Sequence, residues 1–210
     1  MDAAAQLVAS LSPLIEDTRV LQALAATPRE VFVPPELRRR AYENVALPID
    51  CGQTISQPLV VARMLELLEL RGTERVLDIG TGSGYHAALL AQLASRVVSI
   101  ERHRALSRHA AAALAGLEIT NVELLVGDGS EGAREHGPFD AINVAAATTA
   151  GGVEILATQL ALGGRLVAPI AADPGRPDRQ RLMYVRRDAE GISRRRCEAV
   201  RFVPLVSGAP

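Results

Sequence analysis

The sequence predicts a doubly wound α/β fold with a mostly parallel sheet, an antiparallel pair of strands near the C-terminus and a helical extension at the N-terminus. Beyond Gly72, short apolar runs alternate with segments of helical periodicity, as in parallel sheets with helices on both faces. Near the C-terminus the period changes to two, in two runs that flank a polar turn at residues 188–191, which is typical of an antiparallel pair.

The spacing of apolar residues places the individual elements. Before Gly72 we expect helical structure over residues 3–27, a helix start with Thr27 as N-cap and Pro28 in the first turn, and helices over residues 36–42 and 58–70. The predicted strands are residues 75–79, 97–101, 122–126, 139–145, 165–170, 182–187 and 197–203. The helices between them are predicted at residues 85–94, 103–117 and 153–162, and the Pro-, Asp- and Arg-rich residues 171–180 are predicted to be a loop.

A glycine-rich turn follows the first strand of the alternating region. Gly80, Gly82 and Gly84 lie between this strand and the helix that begins at Tyr85. Backbone without β-carbons tolerates positive φ angles and close approach of a ligand at the carboxyl edge of a sheet. A dinucleotide fingerprint is Gly-x-Gly-x-x-Gly, whereas here the third glycine comes one residue earlier, after Ser83. That spacing is typical of methyltransferases that use S-adenosylmethionine, although an ordinary tight turn is the alternative.

Acidic residues end the next two strands. Glu101 lies where a carboxylate accepts hydrogen bonds from ribose hydroxyls, about 20 residues beyond the glycines. Asp128 ends the third strand, where it can accept from an adenine amino group; a surface acid and an Asp-Gly turn are the alternatives. Three such features on successive strands predict a Rossmann-like methyltransferase fold that binds S-adenosylmethionine and releases S-adenosylhomocysteine. The predicted cofactor-binding residues are Asp78, Gly80, Thr81, Gly82, Ser83, Gly84, Glu101, Asp128 and Gly129.

Length, net charge and the positions of histidine and cysteine argue against several other classes of protein. A length of 210 residues suits one domain, and a net charge of −1 gives no electrostatic reason to expect binding to nucleic acid or membranes. The four histidines lack the spacing of metal ligands, so no metal is expected. The two cysteines are far apart and form no disulfide framework, so a cytoplasmic location is expected. We also expect a monomer.

The segment before the glycine turn carries a family resemblance. Gly52-Gln-Thr-Ile-Ser56, the turn itself and Val200-Arg-Phe-Val-Pro-Leu205 resemble motifs of the protein-L-isoaspartate O-methyltransferase family, and the similarity extends over about residues 21–205. The resemblance implies methyl transfer from S-adenosylmethionine to the free α-carboxylate of L-isoaspartyl residues, which starts repair through a succinimide. Isoaspartyl-containing peptides and unfolded or aged protein segments are the implied partners.

The resemblance also implies a substrate site. Ser56 would hold the substrate carboxylate toward the methyl group, although its position before Pro58 also fits a helix N-cap. The carboxylate is ionised at neutral pH because its reference pKa is ~3.5–4, so no general base is needed. Residues 203–205 are a plausible docking edge for a peptide backbone, or a plain edge strand. The predicted substrate-binding residues are Gln53, Thr54, Ile55, Ser56, Leu59, Val203, Pro204 and Leu205.

One domain over residues 1–210 is expected, with the helical extension and substrate loop in residues 1–57 and the cofactor-binding core in residues 58–210.

Two segments depart from the family pattern: Leu59 replaces the usual aromatic residue or histidine, and residues 145–152 lack the usual prolines. These departures leave open a related carboxyl methyltransferase that modifies an aspartate in one particular peptide product. A non-catalytic S-adenosylmethionine-binding protein is a further alternative.

Overall fold

A seven-stranded sheet and its flanking helices dominate the computed structural model, which describes residues 2–173 and 176–208, and their side chains except at residues 172, 173 and 176–178. The helices in this part of the chain are α1 (Ala3–Leu11), α2 (Thr18–Ala26), α3 (Pro58–Leu67), α4 (Tyr85–Leu93), α5 (Arg104–Gly116) and α6 (Ala150–Ala157). The strands are β1 (Leu47–Pro48), β2 (Thr54–Ile55), β3 (Arg75–Ile79), β4 (Arg96–Glu101), β5 (Val122–Val126), β6 (Phe139–Val144), β7 (Leu160–Asp173), β8 (Arg176–Asp188) and β9 (Gly191–Val200). Within the described residues, no helix is both long enough and apolar enough to span a membrane.

The sheet has the strand order β5-β4-β3-β6-β7-β8-β9. Strands β3 to β7 pair in parallel, whereas β8 pairs antiparallel with both β7 and β9. The chain leaves β3 toward β4 and later returns to the other side of β3 as β6. Ligands of doubly wound sheets bind at the carboxyl ends of the strands beside such a reversal. The predicted fold class is therefore confirmed.

Apolar side chains form a separate core on each face of the sheet. Leu89 of α4 and Leu65 of α3 belong to the first core, which also contains α1 and α2 and alternate strand residues such as Val76. Leu156 of α6 belongs to the second core, together with the neighbouring strand residue Leu77. Because both faces of β3 are covered, residues 76–79 are apolar apart from Asp78.

The region before β1 differs from the sequence prediction. The predicted helical stretch over residues 3–27 is two helices, and the second begins at the N-cap Asp17, whose carboxylate accepts from Arg19 N at 2.9 Å. Thr27 is not an N-cap, because it ends α2 and its hydroxyl donates to Ala23 O at 2.8 Å. A 3₁₀ turn, Arg29–Phe32, follows it, and a second 3₁₀ segment, Pro35–Arg40, replaces the helix predicted over residues 36–42.

The last third also differs from the prediction. Residues 171–180 are not a loop where they are described: β7 and β8 continue as a long hairpin, with Asp173 paired to Arg176, while residues 174 and 175 lie outside the described part. Because β9 stops opposite Gln180, the first residues of β8 form a sheet edge on one side, where proline is tolerated. Helix α6 ends at Ala157, earlier than predicted, because β7 takes the chain from Leu160. Residues 201–203 leave the sheet instead of extending β9.

Replacing Gly84 with alanine is expected to lower the free energy of unfolding by about 2–4 kcal/mol. Gly84 has φ +92°, and a β-carbon there would lie 3.0 Å from Ala110 Cβ and 3.2 Å from Ala110 Cα in α5. Gly72 is the matched control, because it has φ +97° but nothing within 4 Å of an added β-carbon. Urea unfolding should show a smaller loss for Gly72→Ala. Equal losses would contradict a packing role for Gly84.

Candidate active site

The glycine turn lies between β3 and α4 at the carboxyl edge of the sheet. Gly80, Gly82 and Gly84 all have positive φ angles, of 89°, 54° and 92°. The turn is tied to the neighbouring strand, because Gly80 N and Thr81 N both donate to Ile100 O, at 2.9 and 3.2 Å. Gly84 is the N-cap residue of α4. The sequence therefore produces a bare, fixed backbone surface at the tip of β3.

Glu101 lies directly beside this turn. Glu101 is only 5% exposed. Backbone N–H groups donate to both of its carboxylate oxygens and fix their positions. Oε2 accepts from Gly82 N at 2.9 Å and Oε1 accepts from His103 N at 2.8 Å. Each carboxylate oxygen can accept a second hydrogen bond. Glu101 therefore fixes the turn and can also accept hydroxyl donors from a ligand.

A buried polar layer supports the turn from below. Asn143 Nδ2 and Ser99 Oγ donate to the two oxygens of Asp78 at 2.8 and 2.7 Å. Because the Ser99 proton is used in this way, the Thr81 hydroxyl donates to Ser99 Oγ at 2.6 Å. Burial raises the pKa of Asp78 to about 6, against the lowering effect of the two donors. The layer links three strands to Thr81, so Asp78 positions the glycine turn indirectly.

The raised pKa of Asp78 predicts a pH-dependent free energy of unfolding. Between the ordinary pKa of 3.8 and about 6, the folded state binds more protons than the unfolded state, so raising the pH through this window destabilises the fold. Relative to Asp78→Asn, the wild-type protein should lose up to about 3 kcal/mol across that window. Urea unfolding of both proteins at several pH values measures the difference. A difference that is independent of pH would contradict the assignment.

Asp128 begins the 3₁₀ turn that follows β5, and both of its oxygens are engaged. Oδ1 accepts from Ser130 N at 2.8 Å, and Oδ2 accepts from Gly208 N of the C-terminal segment at 2.6 Å. Partial burial would raise the pKa of Asp128, but these N–H donors outweigh it and hold the pKa below its ordinary value. Asp128 is thus set to accept hydrogen bonds, and one of its acceptors is covered by the chain itself.

The turn and Glu101 line a narrow cleft, which we call the glycine-loop cleft, with a volume of about 70 Å³. Its opposite wall is the C-terminal segment, residues 203–206. Arg102 Nη1 donates to Val206 O at 2.9 Å, and Leu205 N donates to Ala147 O at 2.7 Å. Sites for ligands of drug size measure about 300–1,000 Å³. The cleft is smaller than such sites, and the C-terminal segment is the wall that closes it.

A second cavity, of about 720 Å³, contains Ser56 and adjoins the first. We call it the Ser56 cavity. Thr54, Ala145 and Val203 line both spaces. Ser56 is not a helix cap: the N-cap of α3 is Gln57, and its side chain makes no capping hydrogen bond. Ser56 Oγ makes no hydrogen bond within the described part of the chain, so this hydroxyl is available to a ligand.

The chain matches one family of known proteins over nearly its whole length. The model of the family described as protein-L-isoaspartate(D-aspartate) O-methyltransferase matches residues 5–210. The chain belongs to this family.

Individual proteins agree with that assignment. The protein-L-isoaspartate O-methyltransferase of Parvibaculum lavamentivorans is 47% identical over 194 residues, which cover 92% of this chain and 86% of the relative. Protein-L-isoaspartate O-methyltransferase 1 of Rhodopseudomonas palustris is 51% identical over 198 residues, or 91% and 77% of the two chains. A solved protein-L-isoaspartate O-methyltransferase structure superposes with a TM-score of 0.85 and 29% identity, covering 98% of this chain and 66% of that chain. The present chain therefore spans about two thirds of that structure's length.

Several of the residues predicted for the cofactor and substrate sites of this isoaspartate methyltransferase family member line the two cavities. The glycine-loop cleft is lined by Gln53, Thr54, Gly80, Gly82, Glu101, Gly129, Val203, Pro204 and Leu205. Ser56 joins them from the adjoining cavity. These residues come from five separate parts of the chain, so the fold is what brings them together.

Other candidates lie outside both cavities. Ile55 is 3% exposed and packs in the core opposite Leu47, and Leu59 packs against the same core. Ser83 lines a different cavity with Phe32, and Gly84 packs against α5. Thr81 and Asp78 lie beneath the turn. Contact with a ligand at these positions therefore remains a prediction.

Sequence reasoning missed three other types of site residue. Ala145 follows β6 directly, so the strand-tip argument that found Glu101 could have found it. Arg102 and Val206 meet only through the folded C-terminal segment, and no local pattern indicates that contact. Arg201 lines the Ser56 cavity; it lies in the segment 200–205 that resembles a family motif, but it was not among the predicted substrate-binding residues.

Proposed function

We propose that this protein transfers a methyl group from S-adenosylmethionine to the free α-carboxylate of L-isoaspartyl residues in damaged proteins or peptides, and so starts their repair through a succinimide. One observation carries the proposal: the cavity with the free Ser56 hydroxyl adjoins the cleft beside the glycine turn through three shared wall residues. A peptide carboxylate in one space therefore faces a donor in the other. Family membership agrees with this chemistry.

The chain's residues fit the cofactor. Gly80 and Gly82 present backbone without β-carbons, and the Glu101 carboxylate is oriented to accept ribose hydroxyls. The Asp128 carboxylate would accept the adenine amino group once Gly208 N leaves it. When bound, S-adenosylmethionine supplies an electrophilic methyl group attached to a positively charged sulfur.

The main task of the protein is orientation. The substrate carboxylate is already ionised and nucleophilic, so no residue has to remove a proton. We assign Ser56 to donate a hydrogen bond to one carboxylate oxygen, so that the other points toward the shared wall formed by Thr54, Ala145 and Val203. That oxygen would form the bond to the methyl carbon, while the carbon–sulfur bond of the donor would break and leave its electron pair on sulfur. Correct alignment of this kind can contribute up to ~7–11 kcal/mol.

The C-terminal segment would hold the peptide backbone. Ala147 N donates to Val203 O at 2.8 Å and Ala147 O accepts from Leu205 N, so one edge of residues 203–205 is already paired. On the other edge Pro204 has no N–H donor, so its carbonyl oxygen and the side chains of Val203 and Pro204 remain for contacts with substrate. Backbone contacts accept many neighbouring side chains, which suits a repair enzyme with varied substrates.

A pair of matched peptides tests the proposal. One carries an L-isoaspartyl residue and the other the ordinary aspartyl residue in the same sequence, and labelled methyl transfer is measured for both. We expect methyl ester on the isoaspartyl peptide and none on its partner. If neither is methylated while S-adenosylhomocysteine binds, the proposed reaction is wrong.

A dedicated carboxyl methyltransferase is the second candidate. Leu59 and the proline-free residues 145–152 favour it, because Ala145 of that segment lines both cavities. It would methylate an aspartate in one peptide product and leave mixed isoaspartyl peptides unmodified.

A monomeric state, a cytoplasmic location and the absence of nucleic-acid and membrane partners also belong to the proposal. Light scattering after gel filtration tests the monomer.

A further inference from the structure

The Ser56 cavity carries an unbalanced positive charge. Among the described residues that line it, Arg201 is the one charged side chain, and the others are apolar or neutral. Arg201 is exposed and forms no ion pair or side-chain hydrogen bond with any described residue. The cavity therefore favours an anionic ligand over a neutral or cationic one.

Three other arginines of the C-terminal hairpin are engaged within the fold, whereas Arg186 is exposed on β8 and lines neither cavity. Arg181 Nε donates to Cys197 O at 2.8 Å, and Arg187 Nη1 donates to Leu160 O at 2.6 Å. Arg194 pairs with Glu154 at 2.5 Å. These contacts give each of the three side chains a structural function. Arg201 has none of this kind, although it lies beside the substrate space.

The backbone at Arg201 is held firmly by its neighbour. Phe202 N donates to Gln180 Oε1 at 2.7 Å, and Gln180 Nε2 donates to Phe202 O at 3.1 Å. Gln180 is itself only 8% exposed. Arg201 thus follows directly after β9 on a fixed support, and its long side chain is free to reach a ligand. Sites built on rigid elements define position better than sites on free loops.

Arg201 is unsuited to bind the reacting carboxylate itself. The negative charge of that group is lost as the oxygen–carbon bond forms, so a cation on it would stabilise the ground state more than the transition state. The neutral Ser56 hydroxyl avoids much of this cost. A positive charge in the same cavity is better used on a second anionic group that does not react.

We propose that Arg201 is a specificity-determining residue that pairs with an acidic side chain next to the isoaspartyl residue of the peptide. This inference rests on the proposed function. It narrows the substrate class to isoaspartyl peptides with a neighbouring Asp or Glu, which should bind more tightly than their neutral or basic counterparts.

The test uses three isoaspartyl peptides that differ at one neighbouring position, which carries Glu, Gln or Lys, with the set prepared once for each side of the isoaspartyl residue. Steady-state KM and kcat are measured for wild-type protein. On at least one side, the Glu peptide should have a KM about 2–5-fold lower than the Gln peptide, as for a solvent-exposed ion pair. The Lys peptide should have the highest KM, and added salt should reduce the differences.

Two variants and a matched control complete the test. Arg201→Gln should bring the ratio of the Glu and Gln KM values close to one, whereas Arg201→Lys should restore part of the preference. The control is Arg186→Gln, which removes the same charge from an exposed position on β8. It should keep the wild-type ratio of the Glu and Gln KM values.

Three results would overturn the inference. The first is a wild-type enzyme that methylates all the peptides with equal KM values, in which case the proposed function still stands. The second is a preference that persists in Arg201→Gln. The third is an equal fall in kcat for every peptide with an unchanged KM ratio, which would indicate a structural effect. If wild-type protein methylates none of the peptides, the proposed function and this inference both fail.

Discussion

Replacing Ser56 with alanine is expected to lower kcat for methylation of an isoaspartyl peptide by about 10–100-fold, because the carboxylate loses its orienting donor. The fold should be unaffected, since Ser56 does not cap α3 and makes no hydrogen bond with the described residues. Affinity for S-adenosylhomocysteine should change little, because Ser56 lies in the adjoining cavity rather than in the glycine-loop cleft. Labelled methyl transfer and calorimetric titration measure the two effects separately.

Ser193→Ala provides the control for that experiment. Ser193 is an exposed serine on β9, remote in sequence from the glycine turn, so its removal should leave kcat at the wild-type value. A Ser56→Ala enzyme that also keeps kcat within about twofold would eliminate the hydroxyl from the mechanism. The same result would favour a protein that binds the cofactor without using this cavity.

The second large effect is expected for Glu101→Gln, which should raise the Kd for S-adenosylhomocysteine by about 10–100-fold. Hydrogen bonds to charged groups contribute about 1.5–3 kcal/mol each, and glutamine replaces one acceptor oxygen with a donor. That NH₂ group would face Gly82 N or His103 N, which now donate to the carboxylate. The substitution should therefore weaken ribose contacts and loosen the turn together. Isothermal titration measures the affinity.

Thermal unfolding and a matched variant make that result interpretable. Glu135→Gln changes an exposed glutamate in another turn and should leave the Kd unchanged. If Glu101→Gln binds as tightly as wild type, Glu101 does not hold the ribose, and its contacts with the turn are purely structural. A lower melting temperature with unchanged affinity would lead to the same conclusion.

The central sheet could be predicted because its signal is local. Strands β3, β4 and β6 are short, mainly apolar runs covered on both faces, and the chain must turn at their carboxyl ends. Gly80, Glu101 and Gly129 could be found for the same reason, since neighbouring parallel strands bring their ends to one edge. Residues 52–56 show no such local signal, and only their resemblance to a family indicated a site.

The remaining features depend on contacts that no local pattern shows. Thr27 is of a residue type that is common at helix N-caps, but it lies at the C-terminal end of α2, where its hydroxyl donates to Ala23 O. The hairpin at residues 171–180 contains turn-forming residues, yet pairing of β7 with β8 continues there because the two strands are already aligned. The bond from Gly208 to Asp128 joins positions 80 residues apart in sequence. Such contacts become visible only when the whole chain is folded.

The C-terminal segment has a consequence for the timing of turnover. Val203 lines both the glycine-loop cleft and the Ser56 cavity, and residues 203–208 extend from the Ser56 cavity to the Asp128 carboxylate. A peptide docked on this segment would hold it over a nucleoside that is already bound. We therefore expect an obligatory sequence, in which the methyl donor enters before the peptide and the spent nucleoside departs last.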